Sequence, residues 1–218
     1  MIYFTSDLHF YHVNILKYNP DERPFDNVLD MNEHIVDYWN KLVKPNDEVY
    51  ILGDVGVGRS TKLINLVKTL NGRLHLIRGN HDHFKKPEEE ELFETVRDYR
   101  VVHHNKKKIV CFHFPIEEWD GCYKGHLHLH GHCHGNLERK LPNRFDIGWD
   151  VHKRLIPIDE VLSWEVDERV PHHGCTDPVE EKPIDINSPL VRCSQCNLLW
   201  PENSDQAISI HNHGKCTS

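Results

Sequence analysis

Short apolar runs that end in polar residues recur along this chain. Met1 to Thr5 is such a run, ending in Ser-Asp-Leu-His, and predicts a buried strand that delivers two polar side chains at its C-terminal end. From Val28 to Val43 the apolar positions Val28, Leu29, Met31, Ile35, Val36, Trp39, Leu42 and Val43 follow a helical period, with Asp26 or Asn27 as cap and Pro45 as stop. Glu48 to Leu52 predicts a second buried strand, running into Gly53-Asp54. Ser60 then stands where it caps a helix through Leu70, and Arg73 to Ile77 predicts a third strand. The charged run Lys85 to Glu91 reads as a solvated loop or helix start. Val96 to Val102 and Lys108 to Phe112 read as paired strands about the polar turn 103–107, and the second of them runs into His113. Gly125 to His130 alternates, as a strand does with one face on a core and the other toward a cleft or solvent. Phe145 to Trp149 predicts a further strand, and Pro157 the first residue of a helix through Trp164. Strand and helix alternating with short turns imply a layered α/β architecture.

After about residue 168 apolar periodicity fades, prolines punctuate the chain, and four of its seven cysteines follow. This divides the chain into a body, 1–168, and a Cys/His-rich tail, 169–218, near the size at which a metal or a docking surface is needed for folding. At 218 residues there is room for one such body and an appendage. The N-terminal MIYFTSDLHF has no basic stretch before a long apolar run, and no stretch of about 18 apolar residues occurs, so neither a secretion signal nor a membrane span is expected. A cytoplasmic location with reduced thiols is the corresponding expectation. A net charge of -8 argues against broad, sequence-independent nucleic-acid capture, which needs many Lys/Arg.

Nineteen histidines in tight groups direct attention to metals. At the ends of the expected strands stand Asp7-x-His9, Gly53-Asp54, Gly79-Asn80-His81-Asp82, His113 and Gly131-His132-x-His134. Hydrolysis of a phosphate ester at neutral pH needs a hydroxide nucleophile, neutralisation of the non-bridging oxygens and help for the leaving group. Two metal ions about 3.5–4 Å apart do the first two jobs together. Such a pair takes six or seven O and N ligands, including a carboxylate able to bridge. Asn80 would add a ligand without adding negative charge, and a mixed carboxylate, imidazole and amide set suits Mn, Fe or Zn better than Mg.

In this order the five blocks resemble the signature of the calcineurin-like metallophosphoesterase family over about residues 1–165. TSDLHF, YILGDV, LIRGNHD, FHFPI and LHGHCHG are most similar to its small bacterial and phage members. The resemblance implies two β-sheets packed as a sandwich flanked by helices, and hydrolysis of a phosphomonoester or phosphodiester, with a small, nucleotide-like substrate favoured. It also implies one metal on Asp7, His9, Asp54 and His134 and a second on Asp54, Asn80, His113 and His132. Asp54 would then bridge the pair, a hydroxide bridging the two metals would attack phosphorus in line, and His81 would be a non-ligand that contacts the scissile phosphate or leaving oxygen. Asp82 either orients His81 or caps a turn through backbone contacts alone. Arg78 is a candidate phosphate contact or a salt-bridging strand residue, while Tyr11, where relatives commonly have Gly, either narrows the site mouth, stacks on a base or simply packs. His12 and His130 are further candidates for the pocket wall.

In the tail, Cys193-x-x-Cys196 with His213 and Cys216 has the pattern of a small structural zinc site. His172-x-x-Cys175 offers competing ligands, and a disordered tail with free thiols is the alternative. The rival function for the whole chain is a catalytically silent scaffold of the same fold acting through that tail; the complete set from Asp7 to His134 speaks for the enzyme.

Overall fold

Nine strands of the body carry the site: β1 (Ile2–Thr5), β2 (Glu48–Ile51), β3 (Arg73–Ile77), β4 (Thr95–Arg97), β5 (Tyr99–His104), β6 (Lys107–Phe112), β7 (Leu127–His130), β8 (Arg144–Asp146) and β9 (Ile156–Pro157). They come from a computed structural model that describes residues 1–58 and 60–164, apart from the Glu90 side chain, and the backbone of 190–192 and 199–201. One sheet has the order β4-β3-β2-β1-β9 and the other β5-β6-β7-β8. In the first, β1 to β4 run parallel and β9 lies antiparallel on β1. In the second, the β5-β6 hairpin is antiparallel and β6, β7 and β8 are parallel.

Strand periodicity sorts the side chains into layers. Tyr3, Val49, Ile51, Leu74 and Leu76 face a core closed by the short helix α1 (Ile15–Tyr18) through Ile15, and by helices α2 (Val28–Leu42) and α3 (Thr61–Val67) through Met31, Ile35, Trp39, Leu63 and Val67. Their neighbours Phe4, Tyr50, Leu52 and Ile77 meet Val102, Ile109, Cys111, Leu127 and Leu129 of the second sheet in the core of the sandwich. Asn27 caps α2, its Oδ1 accepting from the N–H groups of Leu29 at 2.9 Å and Asp30 at 3.0 Å. Ser60 Oγ caps α3 by accepting from Leu63 N–H at 3.2 Å. That helix stops short of Leu70 because its last turn tightens: Thr69 and Leu70 donate to Leu66 and Val67, three residues back.

Three sequence expectations need correction. The strand expected over 96–102 is two strands broken at Asp98, β4 in the first sheet and β5 in the second, so one apolar run feeds Val96 to one core and Val102 to the other. The strand expected over Phe145 to Trp149 ends at Asp146, whose Oδ1 accepts from Gly148 N–H at 2.9 Å and turns the chain into α5 (Trp149–His152). On β7 the face away from the sandwich is neither cleft-lining throughout nor solvated: His128 is fully buried under the Trp119 ring, 5.3 Å between centroids. The charged run forms a helix, α4 (Lys86–Leu92), and Pro157 precedes α6 (Ile158–Ser163).

The chain divides into two units, Met1–His172 and His173–Ser218. In the second, Leu190–Arg192 and Leu199–Pro201 pair antiparallel. Cys193, Cys196, His213 and Cys216 lie outside the described residues, as do His172 and Cys175.

Candidate active site

The parallel register of β1 and β2 continues past the strand ends into the loops that carry the first two blocks. Asp7 N–H donates to the Gly53 carbonyl at 3.0 Å, His9 N–H to that of Asp54 at 3.0 Å and Phe10 N–H to that of Val55 at 2.9 Å. In these loops and the one after β7, Asp7, His9, Asp54, His132 and His134 adopt left-handed backbone, with φ of 55°, 52°, 55°, 68° and 48°. For residues with a Cβ this conformation costs roughly 1–2 kcal/mol each, and its clustering at one place marks a site built for something other than stability.

The side chains converge. Asp54 stands in the middle: its Oδ1 accepts from His81 N–H at 2.9 Å, and its Oδ2 lies 3.7 Å from His9 Nε2, 3.6 Å from His113 Nε2 and 4.0 Å from His81 Nε2. Asp7 Oδ1 is 3.9 Å from both His9 Nε2 and His134 Nε2, and its Oδ2 accepts from His132 N–H at 3.0 Å. Asn80 Oδ1 sits 3.1 Å from His113 Nε2 and 3.0 Å from His132 Nδ1. The Leu52 carbonyl, 2.7 Å from His113 Nδ1, fixes that nitrogen as the protonated one and leaves Nε2 to the site.

The electrostatics favour a cation. Burial pushes the Asp7 carboxyl up to about 8, against the attraction of His134 and with the help of the Asp54 charge. Burial, and after it the Arg23 guanidinium, drives His9 far below the ordinary histidine range, and burial lowers His113 as well. Neutral imidazoles at His9 and His113 beside carboxylates short of positive charge suit a metal, while at His134 burial is outweighed by the hydrogen bond to Asp150 and the charges of Asp7 and Asp150, which raise the imidazole above its ordinary range. His9 Nε2 is buried without a hydrogen-bond partner while aimed at both carboxylates, a vacancy of bonding that a divalent ion satisfies. Ligand atoms of Asp7, His9 and His134 lie within 4.8 Å of one another, as do those of Asp7, Asp54 and His113. The residues present therefore fit a divalent metal.

The fold thus gathers Asp7, His9, Asp54, Asn80, His113, His132 and His134, with His81 beside them, its side chain 39% exposed. His12 joins this group, its Nδ1 3.1 Å from His9 Nδ1 and its ring 5.8 Å from that of His81. Asp82 does not touch the His81 ring. Its carboxylate accepts from the N–H groups of Gly79 at 2.8 Å, Asp54 at 2.9 Å and Val55 at 3.0 Å, a backbone clamp that holds two loops together. Arg78 directs its guanidinium to Glu89, at 2.9 and 2.8 Å, and to Asp98 at 3.0 Å, as a salt-bridging residue does. Tyr11 turns away, half-buried, into a groove between α2 and α3 that Asn32, Val36 and Leu66 also line. His130 lines a separate cavity of about 470 Å³ with Arg144, Phe145 and Trp164.

Sequence reasoning missed Arg23 and Asp150, a fully buried ion pair whose carboxylate reaches His134 Nδ1 at 2.5 Å. The one local signal is an arginine beside Pro24 and Phe25 in an otherwise polar loop, and it says nothing of a partner so far along the chain.

An uncharacterized protein of Methanocaldococcus jannaschii is 37% identical over 143 residues, 65% of this chain and 73% of that protein. The gene 66 protein of Mycobacterium phage D29 is 27% identical over 190 residues, 73% of this chain and 93% of its own. The crystal structure of a protein of unknown function from Aquifex aeolicus superposes with a TM-score of 0.62 at 29% identity, over 75% of this chain and 98% of that one. Among the described residues no helix is long and apolar enough to cross a membrane. The calcineurin-like phosphoesterase family matches residues 1–211, and with a two-sheet sandwich that presents its Asp, His and Asn residues at the strand ends, the chain belongs to that family, whose chemistry is metal-dependent hydrolysis of phosphoesters.

Proposed function

We propose that the body hydrolyses a small, nucleotide-like phosphoester at a dinuclear site, with Asp7, His9, Asp54 and His134 holding one divalent metal and Asp54, Asn80, His113 and His132 the other. The observation that carries this reading is His9 Nε2, buried and unbonded at 3.9 Å from Asp7 and 3.7 Å from Asp54. The convergence of His113 and His132 on Asn80 Oδ1 supports the second half of the pair. Mn, Fe or Zn suits such mixed donors better than Mg. Bound there, the metals supply the nucleophile at neutral pH and neutralise the phosphate oxygens.

The chain's own contribution is positional. Asp54 is kept central by the Asp82 clamp and by the His81 N–H. His81, tethered through its backbone with its imidazole half-exposed, is the group that meets the departing oxygen and hands it a proton. His12, the exposed Tyr18 and Phe114, whose ring lies 4.7 Å from that of His132, give the surroundings the aromatic character a nucleobase stacks on.

The test compares wild type, Asp54→Asn and His81→Ala for bound metal and for turnover of generic phosphomonoester and phosphodiester substrates. Asp54→Asn is expected to lose both metal and turnover, and His81→Ala to keep its metal while turnover falls by about 10²–10⁴. Unchanged turnover in both variants, or a body free of metal, overturns the reading.

A further inference from the structure

Arg23 precedes α2 in a loop outside every motif, Asp150 lies in α5, and both side chains are completely buried. Arg23 Nε donates to Asp150 Oδ1 at 2.5 Å and Nη2 to Oδ2 at 3.1 Å. Nη2 also donates to the Asp7 carbonyl at 2.5 Å, and Nη1 to the Leu8 carbonyl at 3.0 Å. Asp150 Oδ2 in turn lies 2.5 Å from His134 Nδ1, which Asn19 Nδ2 approaches only to 3.3 Å.

Burying a guanidinium and a carboxylate is costly, and apolar side chains of similar volume commonly serve a fold as well. What apolar groups cannot do is grip a ligand. An ionised carboxylate only accepts, so the His134 proton resides on Nδ1 and its Nε2 lone pair is left for the cluster with Asp7 and His9. The two carbonyls that Arg23 holds follow the left-handed Asp7 backbone, φ 55°, and fix the peptide planes on either side of Leu8.

We propose that Arg23 and Asp150 are positioning residues for one half of the metal site: Asp150 sets the ring and tautomer of His134, and Arg23 locks that carboxylate to the backbone of Asp7. Two ligands more than a hundred residues apart, Asp7 and His134, thereby move as one unit. The inference rests on the dinuclear reading above and adds that the affinity of its Asp7/His9/His134 half is set by a buried pair that touches no metal.

Metal-free protein is titrated with Co²⁺ and followed by calorimetry and by the visible Co²⁺ spectrum, for wild type, Asp150→Asn and Arg23→Lys, each checked for folding by circular dichroism. Wild type is expected to take up two ions in the body, besides any ion held by the tail cysteines, which thiolate-to-Co²⁺ charge-transfer bands set apart. Asp150→Asn should bind one normally and the other about 10–100-fold more weakly, with a changed spectrum for the weak site at saturation. Arg23→Lys keeps a charge beside Asp150 but loses the fork, and falls between. Should Asp150→Asn not fold, the double variant Arg23→Met/Asp150→Leu removes both charges together and carries the same expected loss. A folded Asp150→Asn or double variant that binds both ions with wild-type affinity and spectrum overturns the proposal. Wild type that binds no Co²⁺ overturns the dinuclear reading itself, and this inference with it.

Discussion

Two glycines in one loop separate the needs of the backbone from the needs of the site. Gly53 and Gly58 both have left-handed backbone, with φ of 89° and 75°. Alanine at either costs roughly 1–2 kcal/mol for that conformation alone. At Gly58 nothing lies within 4 Å of an added Cβ, so the cost of Gly58→Ala ends there. At Gly53 the Cβ would stand 2.4 Å from His113 Nδ1 and 2.7 Å from the Cα and N of Gly79, and relieving such overlap typically adds about 1–3 kcal/mol. Gly53→Ala is thus expected to lose about 2–5 kcal/mol in total. At about 2–4 °C per kcal/mol for a body of this size, Tm should fall by about 2–8 °C for Gly58→Ala and about 4–20 °C for Gly53→Ala. Thermal unfolding in the presence of a chelator measures this without any contribution from bound metal. The atom displaced in Gly53→Ala is the one that holds the Leu52 carbonyl at 2.7 Å and aims His113, so metal content after reloading should fall in that variant alone. Equal Tm and equal metal content in the two variants would refute the reasoning.

Other expectations follow from the same structure. Asn27→Ala removes the cap of α2 and should cost about 1 kcal/mol in denaturant unfolding while leaving turnover unchanged. His128, held down at about 3 by burial, is neutral in the fold and protonates first in the unfolded chain, so its contribution is complete above about pH 6.5 and is lost as pH falls toward 3. His128→Gln should therefore flatten the acid limb of the stability curve by up to about 1.4 kcal/mol per pH unit between those limits; parallel curves would show that the ring does not titrate there. Addition of Mn²⁺ to chelator-treated protein at about 100 times its dissociation constant should raise stability by about 2.7 kcal/mol, and an unmoved Tm would count against a metal bound by the folded state.

The strands and their delivered side chains are readable from sequence because a buried strand is a local pattern: Glu48 to Leu52 is apolar enough to need two cores and ends in a Gly-Asp turn. The helix caps Asn27 and Ser60 are local in the same sense. Asp98 shows where this stops, since a run that reads as one strand is cut by pairing with β3 on one side and β6 on the other, partners that no window around residue 98 contains. Asp82 is ambiguous in sequence because a carboxylate next to a histidine and a carboxylate under three backbone N–H groups have the same neighbours in the chain. Arg23 and Asp150 leave no periodic trace at all; they are separated by 127 positions and belong to no repeat of polar and apolar residues.

The left-handed residues at the strand ends set limits on how this protein can be improved. Glycine at Asp7, His9, Asp54, His132 or His134 would relax the backbone and remove a side chain of the proposed metal site in the same stroke. A selection that rewards thermal tolerance alone therefore has a short route to a sturdier, inert chain, whereas one that also demands turnover must find its gains away from these five positions, at caps, surface loops and the distal ends of the strands.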